Sequence, residues 1–427
     1  MTENTIFKLA NEAEARFIES RRFNTTLISF HFYLPLSADT LAEDALLPYL
    51  LTSCQAEYKT FTELNLKLLK LYGAELFCVV DKSGDFLHTR ISIRVIDSVF
   101  ALEGEDTVRD AMNLLLGIIF EPSLEGECFR KADLEREKRK TVERIEKEIN
   151  NKRSYARTRH AELMFGDDPF GKFTYGTVSE VEKIDCSDMY KAWQRLLSQS
   201  NIILNIVGKE CPSGIFDAVS ERLAQFDRSG ASQADESKSL PERARAETYR
   251  EEMDIVQGKL VMGFSSKISG SLSMAMPLML LADIFGGGPY SRLFMNVREK
   301  QSLCYYCAAR QKRSKGYLIV DSGVEAENAE KAKAAILNEL AEIQNGTVEE
   351  DRLNSSKKSI IDSLSSYNDS AVALDSFYTR GVMCDGVLTP EAAVELVRGI
   401  TAEQIVEAAR GLKLHTVYEL MPKKEGN

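Results

Sequence analysis

The stretch GGGPYSRLFMNVREKQSLCYYCAAR, residues 286–310, places Arg298 and Tyr305 close together behind a run of glycines. A guanidinium stays charged at every physiological pH and grips a carbonyl or carboxylate through two parallel N–H groups. A phenol can donate to an oxygen that gains negative charge as a bond breaks. The pair could therefore hold a peptide and support an oxyanion, but a positioned peptide still needs an activated water for hydrolysis. The plainer alternative makes Arg298 part of a surface ion pair and Tyr305 part of a sheet core.

The remaining reactive residue types form no recognisable set. Gly286, Gly287 and Gly288 precede no Gly-Lys-Ser/Thr, so they read as a left-handed helix stop, with Pro289 and Ser291 opening the next helix. CYYC (304–307) has the spacing of a redox or zinc pair, yet strand alternation would send its two sulfurs to opposite faces. His160, in HAE, lacks the following Pro-Cys-x-x-Cys of a zinc deaminase and reads as a helix-surface residue. The four histidines, His31, His88, His160 and His415, read as far apart, with His31 and His88 on the polar faces of alternating strands. None reads as a metal ligand, and no cofactor is expected.

The chain that must position Arg298 and Tyr305 has 427 residues, enough for two domains with full cores. It is 44% hydrophobic and 28% charged with no apolar run long enough to span a membrane. Its N-terminal residues lack the pattern of a secretory signal, so a cytoplasmic location is expected. Net charge is −11 and the basic residues are interleaved with acids, which argues against nucleic acid as a partner. The eight cysteines are scattered through apolar segments and read mostly as small buried hydrophobes.

A polar, Ser-rich segment divides the chain, giving expected domains at 1–227 and 250–427 with a linker at 228–249. The same order of elements recurs on either side. ALLPYLL (45–51) leads through FTELNLKLLKLYGAELFCVV (61–80) to GDFLHTRISIRV (84–95), and MAMPLML (274–280) leads through 290–309 to GYLIVDSGV (316–324). Along 87–95, Leu87, Thr89, Ile91, Ile93 and Val95 share one strand face, while His88, Arg90, Ser92 and Arg94 share a face expected to be wet. Residues 132–149 read as an amphipathic helix. The fold class is α+β: two homologous domains, each an antiparallel-rich sheet packed with helices.

The glycine run followed by SRLF, VREK and Tyr305, together with DPFGKFTYGTVSEVEKI (168–184) and the duplicated layout, resembles the pitrilysin/insulinase-type zinc peptidases, or inverzincins. Active members carry H-x-x-E-H on a helix of the first domain, where two histidines one turn apart bind zinc and the glutamate polarises water. This chain has no such motif. The resemblance lays Ala45 and Tyr49 on the histidines, Pro48 on the catalytic glutamate and Arg144 on the third ligand, with Glu143 adjoining it. It also implies that Arg298 and Tyr305 hold the substrate peptide opposite the zinc. The implied function is a non-catalytic subunit of a heterodimeric peptidase whose zinc lies on a homologous partner. The alternative is a peptide-binding scaffold of the same fold with no proteolytic role.

Overall fold

The computed structural model describes residues 3–53, 55–231, 240, 243–266, 272–382 and 389–423. Much of the expected linker, 232–239 and 241–242, lies outside the described residues. The described chain forms two compact units. The first gathers Met1–Glu146, Phe173–Asp235 and Tyr367–Val382, and the second gathers Lys147–Lys172, Glu236–Ser366 and Met383–Asn427. Each half of the sequence thus lends a helix to the other half's unit. Among the described residues no helix is long and apolar enough to cross a membrane.

The first unit is built on strands β1 (Glu3–Lys8), β2 (Glu14–Glu19), β3 (Thr25–Pro35), β4 (Glu75–Ser83), β5 (Phe86–Ile96) and β6 (Asn201–Gly208). Their order in the sheet is β1-β2-β6-β3-β5-β4. The second unit uses β7 (Glu247–Met253), β8 (Gly258–Ser265), β9 (Tyr306–Lys312), β10 (Tyr317–Val324) and β11 (Lys413–Pro422), in the order β7-β11-β8-β10-β9. The duplication is explicit in this order, because β2-β6-β3-β5-β4 and β7-β11-β8-β10-β9 correspond strand for strand. Even the exception matches: β2 with β6 and β7 with β11 are parallel, and every other pairing is antiparallel. The α+β, antiparallel-rich reading therefore stands.

In the first unit Ile28, Phe30 and Phe32 of β3 and Ile91, Ile93 and Val95 of β5 point into one apolar core. That core is closed by helices such as Leu41–Leu51 and Thr107–Phe120. The opposite face is not wet. Ser29, His31 and Ser92 are fully buried and Arg90 is nearly so, because helix Ala371–Val382, from the far end of the sequence, packs on β3 and β6. Period-two alternation identified the strand correctly but could not show what covers its polar side.

The second unit repeats the device with helix Lys152–Phe165, which lies on β8 and β11. His160 is completely buried there rather than on a helix surface, and its Nε2 donates to the Thr416 carbonyl at 3.2 Å. Gly263 of β8 makes room for it, since a Cβ at that position would stand 2.6 Å from His160 Cε1. Gly263→Ala should therefore destabilise the chain by about 1–3 kcal/mol through overpacking. Denaturant midpoints would measure this, and an unchanged midpoint would contradict the packing.

The glycine run is also placed for space rather than for handedness. Gly286 ends helix Leu272–Gly286, and none of Gly286, Gly287 or Gly288 has a positive φ, which corrects the left-handed stop read from the sequence. A Cβ on Gly286 would lie 2.4 Å from the Ala309 nitrogen of β9. The glycine lets the helix end press against the strand. The following turn Leu293–Lys300 is a π-helix rather than an α-helix.

Candidate functional site

In the second unit, Arg298 lies near the end of that π-helix and Tyr305 just before β9. The motif's other arginine is not available for binding. Arg292 is 4% exposed, with its Nε donating to Glu339 at 2.8 Å and its Nη1 to Glu349 at 2.8 Å. Arg298 keeps a 39% exposed side chain, stacks over the Phe294 ring at 4.6 Å and makes only a 3.6 Å pairing with Glu299 beside it. Tyr305 is 56% exposed, so the sheet-core alternative does not describe it. Its hydroxyl donates to Glu325, which raises the phenol's pKa and keeps the proton in place. No contact joins Arg298 to Tyr305 among the described residues, but both are open to a ligand.

Cys304 and Cys307 flank Tyr305 and do not point apart. Strand β9 begins only at Tyr306, and Ser302 takes a φ of 53°, so alternation does not extend back to Cys304. The two thiols are buried and lie near enough to act on each other. The neighbouring Cys307 thiol, with Arg298 nearby, holds Cys304 below the ordinary thiol range, while Cys304 and burial push Cys307 up.

In the first unit, Ala45, Pro48 and Tyr49 lie on helix Leu41–Leu51, and Arg144 lies on helix Lys131–Asn150. Ala45 is fully buried in a small apolar cluster with Leu41, Val80 and Leu87. Tyr49 and Arg144 come together: the guanidinium carbon is 3.8 Å from the centre of the Tyr49 ring and 5.7 Å from that of Tyr175. The Tyr49 and Tyr175 hydroxyls are 2.8 Å apart and share one hydrogen bond. Burial, then the Tyr175 bond, moves the Tyr49 phenol above its ordinary range. Cys78, 3.6 Å from the Thr52 hydroxyl, is pushed up to about 11 by burial and stays a neutral thiol. Tyr175 and Cys78 carried no sequence signal that assigned them to this cluster.

Zinc does not fit these residues. Ala45 and Pro48 have no donor atom, Arg144 is itself a cation, and zinc requires several thiolate, imidazole or carboxylate ligands at about 2 Å. Among the described residues there is no group of three or more His, Cys, Asp or Glu side chains arranged to hold a metal. The purified chain is accordingly expected to hold no stoichiometric zinc and to leave a mixed-peptide digest uncut. Metal analysis before and after chelation checks this, and one tight zinc lost together with activity would overturn it.

The histidines complete the correction to the sequence reading. His31 Nε2 donates to Asp375 Oδ1 at 2.8 Å, and His31 Nδ1 lies 3.0 Å from His88 Nε2, with the rings stacked. His88 Nδ1 in turn faces Asp81 Oδ1 at 3.0 Å. Two histidines distant in sequence are neighbours here because β3 and β5 pair with His31 opposite Arg90 and Tyr33 opposite His88. Asp375 also accepts from Asn205 at 2.8 Å and pairs with Arg90 at 3.3 Å. This is an anchoring network for helix Ala371–Val382.

Comparison with known proteins agrees with this geometry. Residues 183–360 match the family model described as the peptidase M16 inactive domain. The chain is 26% identical over 406 residues to "Probable inactive metalloprotease YmfF" of Bacillus subtilis, a match covering 95% of each protein. A conserved protein from Enterococcus faecalis has the same fold, with a TM-score of 0.91 at 23% identity over 99% of this chain and 100% of that one. So does the peptidase M16 inactive domain from Pseudomonas fluorescens, at a TM-score of 0.81 and 18% identity over 100% of both chains. The second half of the chain thus matches the peptidase M16 inactive domain, the whole chain is similar to a probable inactive metalloprotease with duplicated sheets in agreement, and the sequence carries no H-x-x-E-H motif.

Proposed function

We propose that the chain is a non-catalytic subunit that presents Arg298 and Tyr305 to a peptide whose cleavage is carried out by zinc on a homologous partner. The observation that carries this reading is the exposure of both side chains in a chain with no zinc donor set among its described residues. Arg292 and Tyr378, by contrast, are buried. Arg298 is instead held only by a ring and a weak neighbouring pair, which leaves its N–H groups for a peptide carbonyl. Glu325 keeps Tyr305 protonated until a stronger acceptor, such as a developing oxyanion, takes the hydrogen bond. A π-helical turn, as at Leu293–Lys300, is a local irregularity found frequently at functional sites.

The test is to mix the chain with an H-x-x-E-H homologue from the same organism and assay peptide cleavage. Activity absent from either protein alone is the expected result. A homologue fully active by itself and indifferent to this chain would replace the composite site with the scaffold reading, in which the same surface holds a peptide without hydrolysis.

A further inference from the structure

The proposed peptidase partnership makes no use of Arg144 in the first unit. No guanidinium nitrogen of Arg144 makes a hydrogen bond or ion pair with a described residue. Its Nη1 is buried against its surroundings without a partner, while the side chain as a whole is only half-buried. Stacking fixes the plane of the group, since the Tyr49 ring lies 3.8 Å away, and a stacked guanidinium still offers its in-plane N–H groups at the edge. The phenol pair adds a second donor. Tyr49 and Tyr175 share one hydrogen bond, so one of their two O–H protons remains unused.

No described carboxylate pairs with these donors, and the buried Glu137 near Cys78 is already taken by Arg136 and Lys140. The nearby thiol, Cys78, is neutral at physiological pH, and the adjoining carboxylate Glu143 is exposed and unpaired with Arg144. Next to the two phenols lies an apolar wall, with Leu36 partly exposed and Leu41, Val80 and Leu87 buried behind it. A half-buried cation with an aromatic floor, a spare hydroxyl and an apolar wall matches one ligand chemistry, a planar anion next to an apolar group.

We propose that Arg144, Tyr49 and Tyr175 form a carboxylate-binding site that takes the C-terminal residue of a peptide, the carboxylate on the guanidinium edge and the side chain against the apolar wall. The carboxylate part stands on this geometry alone. Only the identification of the carrier as a peptide rests on the proposed function, and no partner or zinc is required.

The test uses the full chain and calorimetric titration with four probes: acetyl-leucine, acetyl-leucine amide, and a leucine-ended nonapeptide as its free acid and as its amide. Both acids should bind at least tenfold more tightly than their amides. Arg144→Met, which keeps the aliphatic stem on the ring, should abolish that preference without lowering the melting temperature, and Arg144→Lys should restore only part of it. Tyr175→Phe should weaken the acids severalfold and leave the amides unchanged. Equal binding of acids and amides, no binding of any probe, or an unchanged preference in Arg144→Met would overturn the site. Binding of acetyl-leucine but not of the nonapeptide acid would overturn the peptide assignment. Inorganic phosphate competing as well as acetyl-leucine would overturn carboxylate selectivity. None of these readings depends on whether mixing with a zinc-bearing homologue produces activity.

Discussion

Arg298→Ala is expected to lower kcat/KM of the mixed, zinc-bearing complex by about 10²–10³-fold, the size of losing one preorganised donor to a developing oxyanion. The local structure makes this a clean measurement. Arg298 is 39% exposed and its ion pair among the described residues is at 3.6 Å, so its removal should change stability by less than about 1 kcal/mol. Tyr305→Phe keeps the ring and removes only the hydroxyl that Glu325 holds, and it should cost a similar factor in turnover with little change in melting. Zinc content of the partner should stay the same in both variants. If either variant cleaves at the wild-type rate while the complex still forms, Arg298 and Tyr305 are bystanders. If both melt far below wild type, they are structural residues.

The duplicated architecture was legible because it is written in local patterns. Alternation at 87–95, the proline-bearing apolar segments around Pro48 and Pro277, and the strand-like runs at 201–208 and 259–264 all fell in ordered elements of the expected type. What the sequence hid was long-range. Helix Ala371–Val382 covers strands that lie more than 160 (β6) and more than 330 (β3) residues before it, and no periodicity in 87–95 announces that Arg90 and Ser92 will be buried beneath it. For the same reason His31 read as solvent-facing, whereas the buried carboxylate of Asp375, from another segment, was needed to explain it. The candidate site divides along the same line. Exposure of Arg298 and Tyr305 follows from a local turn that the motif spells out, but the stack of Arg144 on Tyr49 requires two helices to meet, and Tyr175 joins them from a third segment.

Asp375→Ala should cost about 3–5 kcal/mol, because it leaves a buried cation and a buried imidazole without their partner. Asp375 is fully buried and holds His31, Asn205 and Arg90 at once. The loss is a large share of the roughly 5–15 kcal/mol that stabilises an ordinary domain, and it should appear first as release of helix Ala371–Val382 from β3 and β6. Faster hydrogen exchange and proteolysis in that helix would show this, while a loss under about 1 kcal/mol would mean that apolar packing, not the network, holds the helix. Acid should act on the same contact. Burial would raise the Asp375 carboxyl, but His31 and Arg90 outweigh it and hold the group below its ordinary value, so its contribution is present above the unfolded value near pH 4 and is lost as pH falls through the folded value. Burial also lowers His31, which is neutral in the fold. Below about pH 6.5 the unfolded chain binds a proton that folded His31 does not, and stability falls as the solution is acidified. His160 adds the same sign in the second unit: burial lowers it from 6.5 to about 4, worth about 3 kcal/mol across that window. Its Nδ1 has no hydrogen-bond partner, so protonation would leave an unpaired N–H in the interior. Denaturant midpoints should therefore fall steadily from about pH 6.5 to pH 4, and His160→Gln should flatten part of that slope. A flat profile across this range would show that neither buried histidine resists protonation.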